Sequence, residues 1–163
     1  MAEQKTNPTY DLEKIYLKDV SFESPESPTI FLQKGFKPEI NVDLNIEHRA
    51  LDAENGFYEV ILHTEVNATM EEKTAFLISI QQAGIFRLQN FSEQQLPIML
   101  EVACPNALLP FVRESVCDLA SKGGFPQLLL SPVNFESLYQ RKNDKQKIAE
   151  ESEPESAEGQ VTH

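Results

Sequence analysis

Three histidines, two cysteines and twenty-six carboxylates are the side chains of this chain that could do metal, nucleophilic or acid–base chemistry. Their spacing supports none of the three. His48 stands in a polar stretch, His63 inside an alternating pattern and His163 at the last position, and no second histidine, cysteine or carboxylate repeats at ligand spacing. A metal site is therefore not expected. Cys104 and Cys117 form no CxxC pair. On one continuous helix they would sit roughly 20 Å apart, beyond the reach of a disulfide, so they read as reduced cysteines used as small hydrophobes. There is no GxSxG, and Gly123-Gly124 follows a helical pattern rather than opening one, so no phosphate loop is expected. Glu39, Asp43 and Glu47 are explained as the solvated face of a strand. A binding role is favoured over an enzyme, and no cofactor is implied.

The charge narrows the partners. The chain of 163 residues carries −12. From Asp144 onward it holds six acids and two lysines, a charge of −4, which leaves −8 on the remainder. That sign disfavours nucleic acid, which needs a basic surface, and docking on anionic lipid. It attracts basic protein surfaces. The polar start MAEQKTNPTYDLEK and the reduced cysteines point to a cytoplasmic protein with no membrane insertion.

The elements that would position a binding surface are legible. Residues 1–9 read as a flexible lead. Tyr10 to Phe22 reads as a strand whose imperfect alternation suggests a bulge. SPESP at 24–28 ends it, and TIFLQKGFKP at 29–38 is an unusually apolar crossover loop. Glu39 to Glu47 alternates without fault: Ile40, Val42, Leu44 and Ile46 face one way, the acids and asparagines the other. A polar turn is expected at 48–56. Phe57 to Thr69 and Thr74 to about Gln82 then form a hairpin across MEEK. Ser92 and Gln95 make a capping box. Pro105 is expected to interrupt the helix and Asn106 to restart it. Leu108, Phe111, Val112, Ser115, Val116 and Leu119 form an apolar helical stripe. Gly123-Gly124 stops that helix, FPQLLL at 125–130 is an apolar connector, and Asn134 caps a last helix. Strands first and helices after predict α+β: a four-stranded antiparallel sheet with helices on one face. One domain over 10–141 is expected, with 142–163 as a disordered acidic tail.

Four blocks carry a family resemblance: IYLKDVSFESP at 15–25, TAFLISIQQAGIF at 74–86, CPN-x-L-x-P-x-x-RE at 104–114 and GGFPQLLLSPVNF at 123–135. In this order they resemble SecB, the bacterial protein-export chaperone family. The resemblance implies an ATP-independent chaperone that binds unfolded precursor proteins and delivers them to the SecA ATPase. It also implies a homotetramer built as a dimer of dimers, with the helix of Leu108 to Leu119 between the dimers. Phe36 and Phe135 are carried over as client-groove residues. Phe31, Leu138 and Tyr139 join them, with ordinary packing as their alternative role. Tryptophan is common in the family where Phe36 stands, so this subsite is expected to be smaller. Asp19, Glu23 and Leu77 match the SecA-contacting surface. Ser79 stands where many relatives carry an acid, which implies a SecA contact that is either weaker or leans more on Asp19 and Glu23.

Overall fold

The computed structural model describes residues 6–152. Its four strands are β1 (Thr9–Glu23), β2 (Glu39–Asp52), β3 (Phe57–Met70) and β4 (Lys73–Gln89). They form one antiparallel sheet in the order β1-β4-β3-β2. The helices follow: α1 (Gln95–Ile98), a π-helical turn at Met99–Ala103, α2 (Cys104–Lys122) and α3 (Phe135–Ser152). The expected α+β architecture is the one observed.

β1 lies at one edge of the sheet and β2 at the other, so residues 24–38 must cross the whole sheet end. Two bulges, between Leu12 and Lys14 and between Leu17 and Asp19, reset the phase of β1. Tyr10, Leu12, Ile15, Leu17, Val20 and Phe22 consequently share the helix side despite their broken spacing. β3 and β4 meet at a two-residue hairpin whose Glu71 and Glu72 both have positive φ, the backbone that fits the strand twist. β2 continues into the expected turn as far as Asp52, pairing His48 with Val60 and Arg49 with Glu59. A polar sequence is at home there because β2 is an exposed edge.

On the helix side Val60, Leu62, Val66, Phe76, Ile78 and Phe86 are buried under α2. Gly84 lets that helix close in, since a Cβ there would fall 3.1 Å from Leu108 Cδ2. The caps form as read. Ser92 and Gln95 exchange two 3.1 Å hydrogen bonds, and Asn134 Oδ1 accepts from the Ser137 amide at 3.0 Å. Gly124, at φ +87, lets the chain leave α2.

Three expectations change. Pro105 does not break the helix, because the π-helical turn just ahead of it accommodates the missing N–H. Instead of two helices split at Pro105, one helical run from Gln95 to Lys122 results, with the length and composition of a membrane span, yet its apolar row packs on the sheet. And α3 runs past residue 141 to Ser152. Residues 142–152 are thus helical, while 153–163 of the expected tail lie outside the described residues.

Across the outer face a single carboxylate ties both edges to the centre. Glu59 on β3 is almost fully buried. It accepts from Lys18 of β1 at 3.1 Å and from Arg49 of β2 at 2.9 Å, and the Tyr16 hydroxyl also donates to it. Burial pushes its pKa up, but the hydrogen bonds from Tyr16, Lys18 and Arg49 prevail and hold it below the ordinary carboxylate value. A depressed folded value stabilises the fold above the unfolded pKa and is lost as pH falls through the folded one. Glu59→Gln should therefore cost about 1–2 kcal/mol at pH 7, modest because both cations stay hydrated. The deficit should vanish in acid, where the parent protonates too; denaturant titrations at both pH values check this. In the core, the Thr64 hydroxyl is buried without a hydrogen-bond partner among the described residues. Thr64→Val should stabilise by about 1 kcal/mol; a lowered melting temperature would show that the hydroxyl is satisfied.

Candidate functional site

The apolar face of edge strand β2 is only partly covered. Ile40, Val42 and Leu44 form one wall of an open groove, and Leu109 with residues 128–133 of the connector forms the other. Its volume is about 420 Å³, and Ser131 supplies its single polar side chain. The groove exists because the connector leaves α2 at Gly124 and passes along β2, with Leu130 buried and Leu129 71% exposed. Beside the wall runs the outer edge of β2, which has no strand beyond it in the sheet.

An aromatic cluster covers the crossover. Phe125 stands 5.2 Å from Phe31, 5.4 Å from Phe36 and 4.9 Å from Phe76, ring centre to ring centre. Phe31 is half-exposed and Phe36 half-buried. At the other end, Leu138 and Tyr139 of α3 line a recess of about 190 Å³ with Leu44, Asn45 and Ile46. The two hollows share Leu44. Glu101 closes the recess, accepting from Lys142 Nζ at 2.8 Å and facing His48 Nε2 at 3.4 Å.

Of the groove residues expected from sequence, Phe31, Phe36, Leu138 and Tyr139 thus keep an accessible place. Phe135 does not: it is 2% exposed and anchors the start of α3 in the core. Sequence reasoning missed Val42 and Leu128–Val133 as groove lining, and Phe125 as the centre of the aromatic cluster. Their signals were the faultless alternation of β2 and the apolar run after Gly124, but nothing local says that these two segments meet.

The helical stripe also divides. Leu108, Val112 and Val116 are fully buried against the sheet of their own chain, so they are closed to a second copy. A core-facing row and an interface row have the same periodicity, which is why the sequence could not separate them. Phe111 is 44% exposed, and Ser115 and Leu119 are half-buried at the flanks. Cys104 belongs to the buried row, and burial pushes its thiol up to about 12. It has no reactive character.

On the outer face the register brings together Asp19, Glu23, Leu77 and Ser79, the four residues expected to contact SecA. Asp19 pairs with Gln81, Ser21 with Ser79 and Glu23 with Leu77. Asp19 and Glu23 are exposed, whereas Leu77 and Ser79 are half-buried. Glu65 lies opposite Ser79 on β3, and Asp43 opposite Glu65 on β2. This half of the sheet is acidic, whereas Lys18 and Arg49 gather around Glu59 in the other. No group of three or more metal-binding side chains occurs among the described residues.

Comparison with known proteins gives consistent matches. The family described as "Preprotein translocase subunit SecB" matches residues 3–146. "Protein-export protein SecB" of Hydrogenovibrio crunogenus is 48% identical over 139 residues, covering 85% of this chain and 91% of its own. The protein of the same description from Nitrosospira multiformis is 40% identical over 164 residues, the full length of both. Among solved structures, the Mycobacterium tuberculosis SecB-like chaperone Rv1957, in complex with a ChAD peptide from the HigA1 antitoxin, aligns with a TM-score of 0.64. It is 17% identical and the match covers 77% of this chain and 91% of that one, a likeness of fold. With the profile and the relatives spanning nearly all of its length, this chain belongs to the SecB family of protein-export proteins.

Proposed function

We propose that this protein is an ATP-independent holdase that keeps precursor proteins unfolded in the groove beside β2 and passes them to SecA. The observation that carries the reading is the combination along one edge: an open apolar trough and a strand edge with no neighbour. Unfolded chains have no fixed sequence but always carry apolar side chains and backbone amides. A trough takes the first and a strand edge the second. No residue is asked to perform chemistry, and no cofactor or nucleotide enters the cycle.

The acidic patch of Asp19 and Glu23 beside Leu77 and Ser79 suits a basic partner surface, and we assign it to SecA. Assembly as a homotetramer fits the apolar surface that one chain leaves open. Leu12, Leu17 and Val20 of β1 are 39–47% exposed on the helix side, with Phe111 exposed on α2. Association of four copies in the cytoplasm would cover them.

Light scattering with a reduced, unfolded precursor and with SecA, without nucleotide, tests the whole reading: the assembly should take up each. Val42→Asp places a charge in the trough at a position the fold leaves open. It should weaken precursor binding by about tenfold or more without changing the assembly's mass. Asp19→Ala with Glu23→Ala should weaken SecA binding and leave precursor binding nearly intact. Equal loss of both would place these acids in the fold rather than at a contact.

A further inference from the structure

We infer that the partner of the outer face carries both signs in a fixed order: basic side chains over the Asp19 and Glu23 end, and a carboxylate over Lys18 and Arg49. This rests on that face being the SecA contact. Glu59 is saturated where it stands. Its Oε1 accepts from Lys18 Nζ at 3.1 Å and from Arg49 Nε at 2.9 Å, and its Oε2 from Lys18 Nζ at 3.2 Å and from the Tyr16 hydroxyl. That exhausts the lone pairs of a carboxylate. Arg49 donates only through Nε among the described residues, and its side chain is 63% exposed. Its two terminal amino groups are therefore open to an incoming acceptor. Two cations and one carboxylate leave the cluster at +1, and an arriving group meets donors rather than acceptors.

The register sets the distance between the two ends. Glu23 pairs with Leu77, and Glu59 with Ile85; Leu77 to Ile85 spans about 27 Å of strand. Ile61 and Ala83 pair between them and carry no charge. An interface of ordinary size covers that length, so one partner can engage both ends. The order of signs then decides the orientation. Matched, each end meets its opposite charge. Reversed, the partner's bases face Arg49 and its carboxylate faces Asp19, and like charges are penalised at both ends. The acidic end supplies attraction and the cation pair supplies direction. A partner that is merely basic would behave differently. On a chain of −12, losing a cation from this face would strengthen its binding and losing an acid would weaken it.

The test titrates SecA into the full-length protein, its Arg49→Gln variant and its Glu59→Gln variant at physiological salt. Arg49→Gln removes the open donors and should weaken SecA binding about fivefold. Glu59→Gln adds one positive charge to the cluster and should tighten binding about threefold, although the same change lowers stability. A purely structural role would move stability and binding together, and attraction by net charge alone gives the opposite sign for each variant. Both residues lie on the face away from the groove, so precursor uptake should stay at the parent level. Binding that Arg49→Gln leaves unchanged or tightens, or that Glu59→Gln fails to tighten, overturns the inference. The SecA assignment then still stands, since the Asp19 and Glu23 double variant tests it separately. If the parent itself does not take up SecA, that assignment falls and the order of signs with it.

Discussion

One helix cannot cover four strands. An α-helix with its side chains is about 10 Å across, and strands lie about 4.8 Å apart, so α2 shields two of them. It sits over β4 and β3, the centre of the sheet, where the helix-side residues are fully buried. The edge strands keep apolar residues on the same side without a helix above them. At β1 the result is an open row of Leu12, Leu17 and Val20. At β2 the connector and α3 supply a partial cover, and the gap they leave is the groove. Both partly covered apolar surfaces thus come from the same shortfall in coverage.

What could be read in the sequence was whatever is decided locally. The alternation of β2 is clear because an edge strand with one wet face leaves each position a single choice. The caps at Ser92 and Asn134 and the exit at Gly124 are set by residues within a turn of one another. Less legible was anything decided by a distant segment. Phe135 looks like a groove residue until α3 is seen to need an anchor. His48 to Asp52 looks like a turn because polarity is shared by turns and exposed edges. Residues 142–152 look disordered by composition, although Lys, Gln, Ala and Glu are good helix formers that can hold a helix without burial. The groove lining was hidden for a similar reason: Val42 and Leu129 are far apart in the chain, and no local pattern records that they face each other.

The outer face obeys a different constraint. With none of the described elements packed on it, it is expected to be polar, yet its centre holds the buried Glu59. The carboxylate is tolerable there because cations reach it from both edges while keeping their own heads wet. Their stems extend over the sheet, a use of long side chains that covers apolar surface without burying charge. Ile61 and Ala83 are also buried on this face. Basic side chains are committed to that half, and the acidic residues gather at the other, which gives a neutral-looking surface a direction.

The two faces are not independent, because neighbouring residues in a strand point to opposite sides. Phe22 and Phe76 stack at 6.0 Å under the helix side, while Glu23 and Leu77, next in sequence, form a pair on the outer face. Phe76 in turn touches Phe125, the hub of the aromatic cluster over the crossover. A holdase must release what it binds, and that argues for shallow contacts. A closed pocket would retain a client by full desolvation of a few side chains. An open trough bordered by a free strand edge instead holds many weakly bound segments at once, and its strength depends on simultaneous engagement. Such a site can surrender a chain piece by piece, each step costing little. The exposure that makes this groove look unfinished in a single chain is what a temporary hold requires.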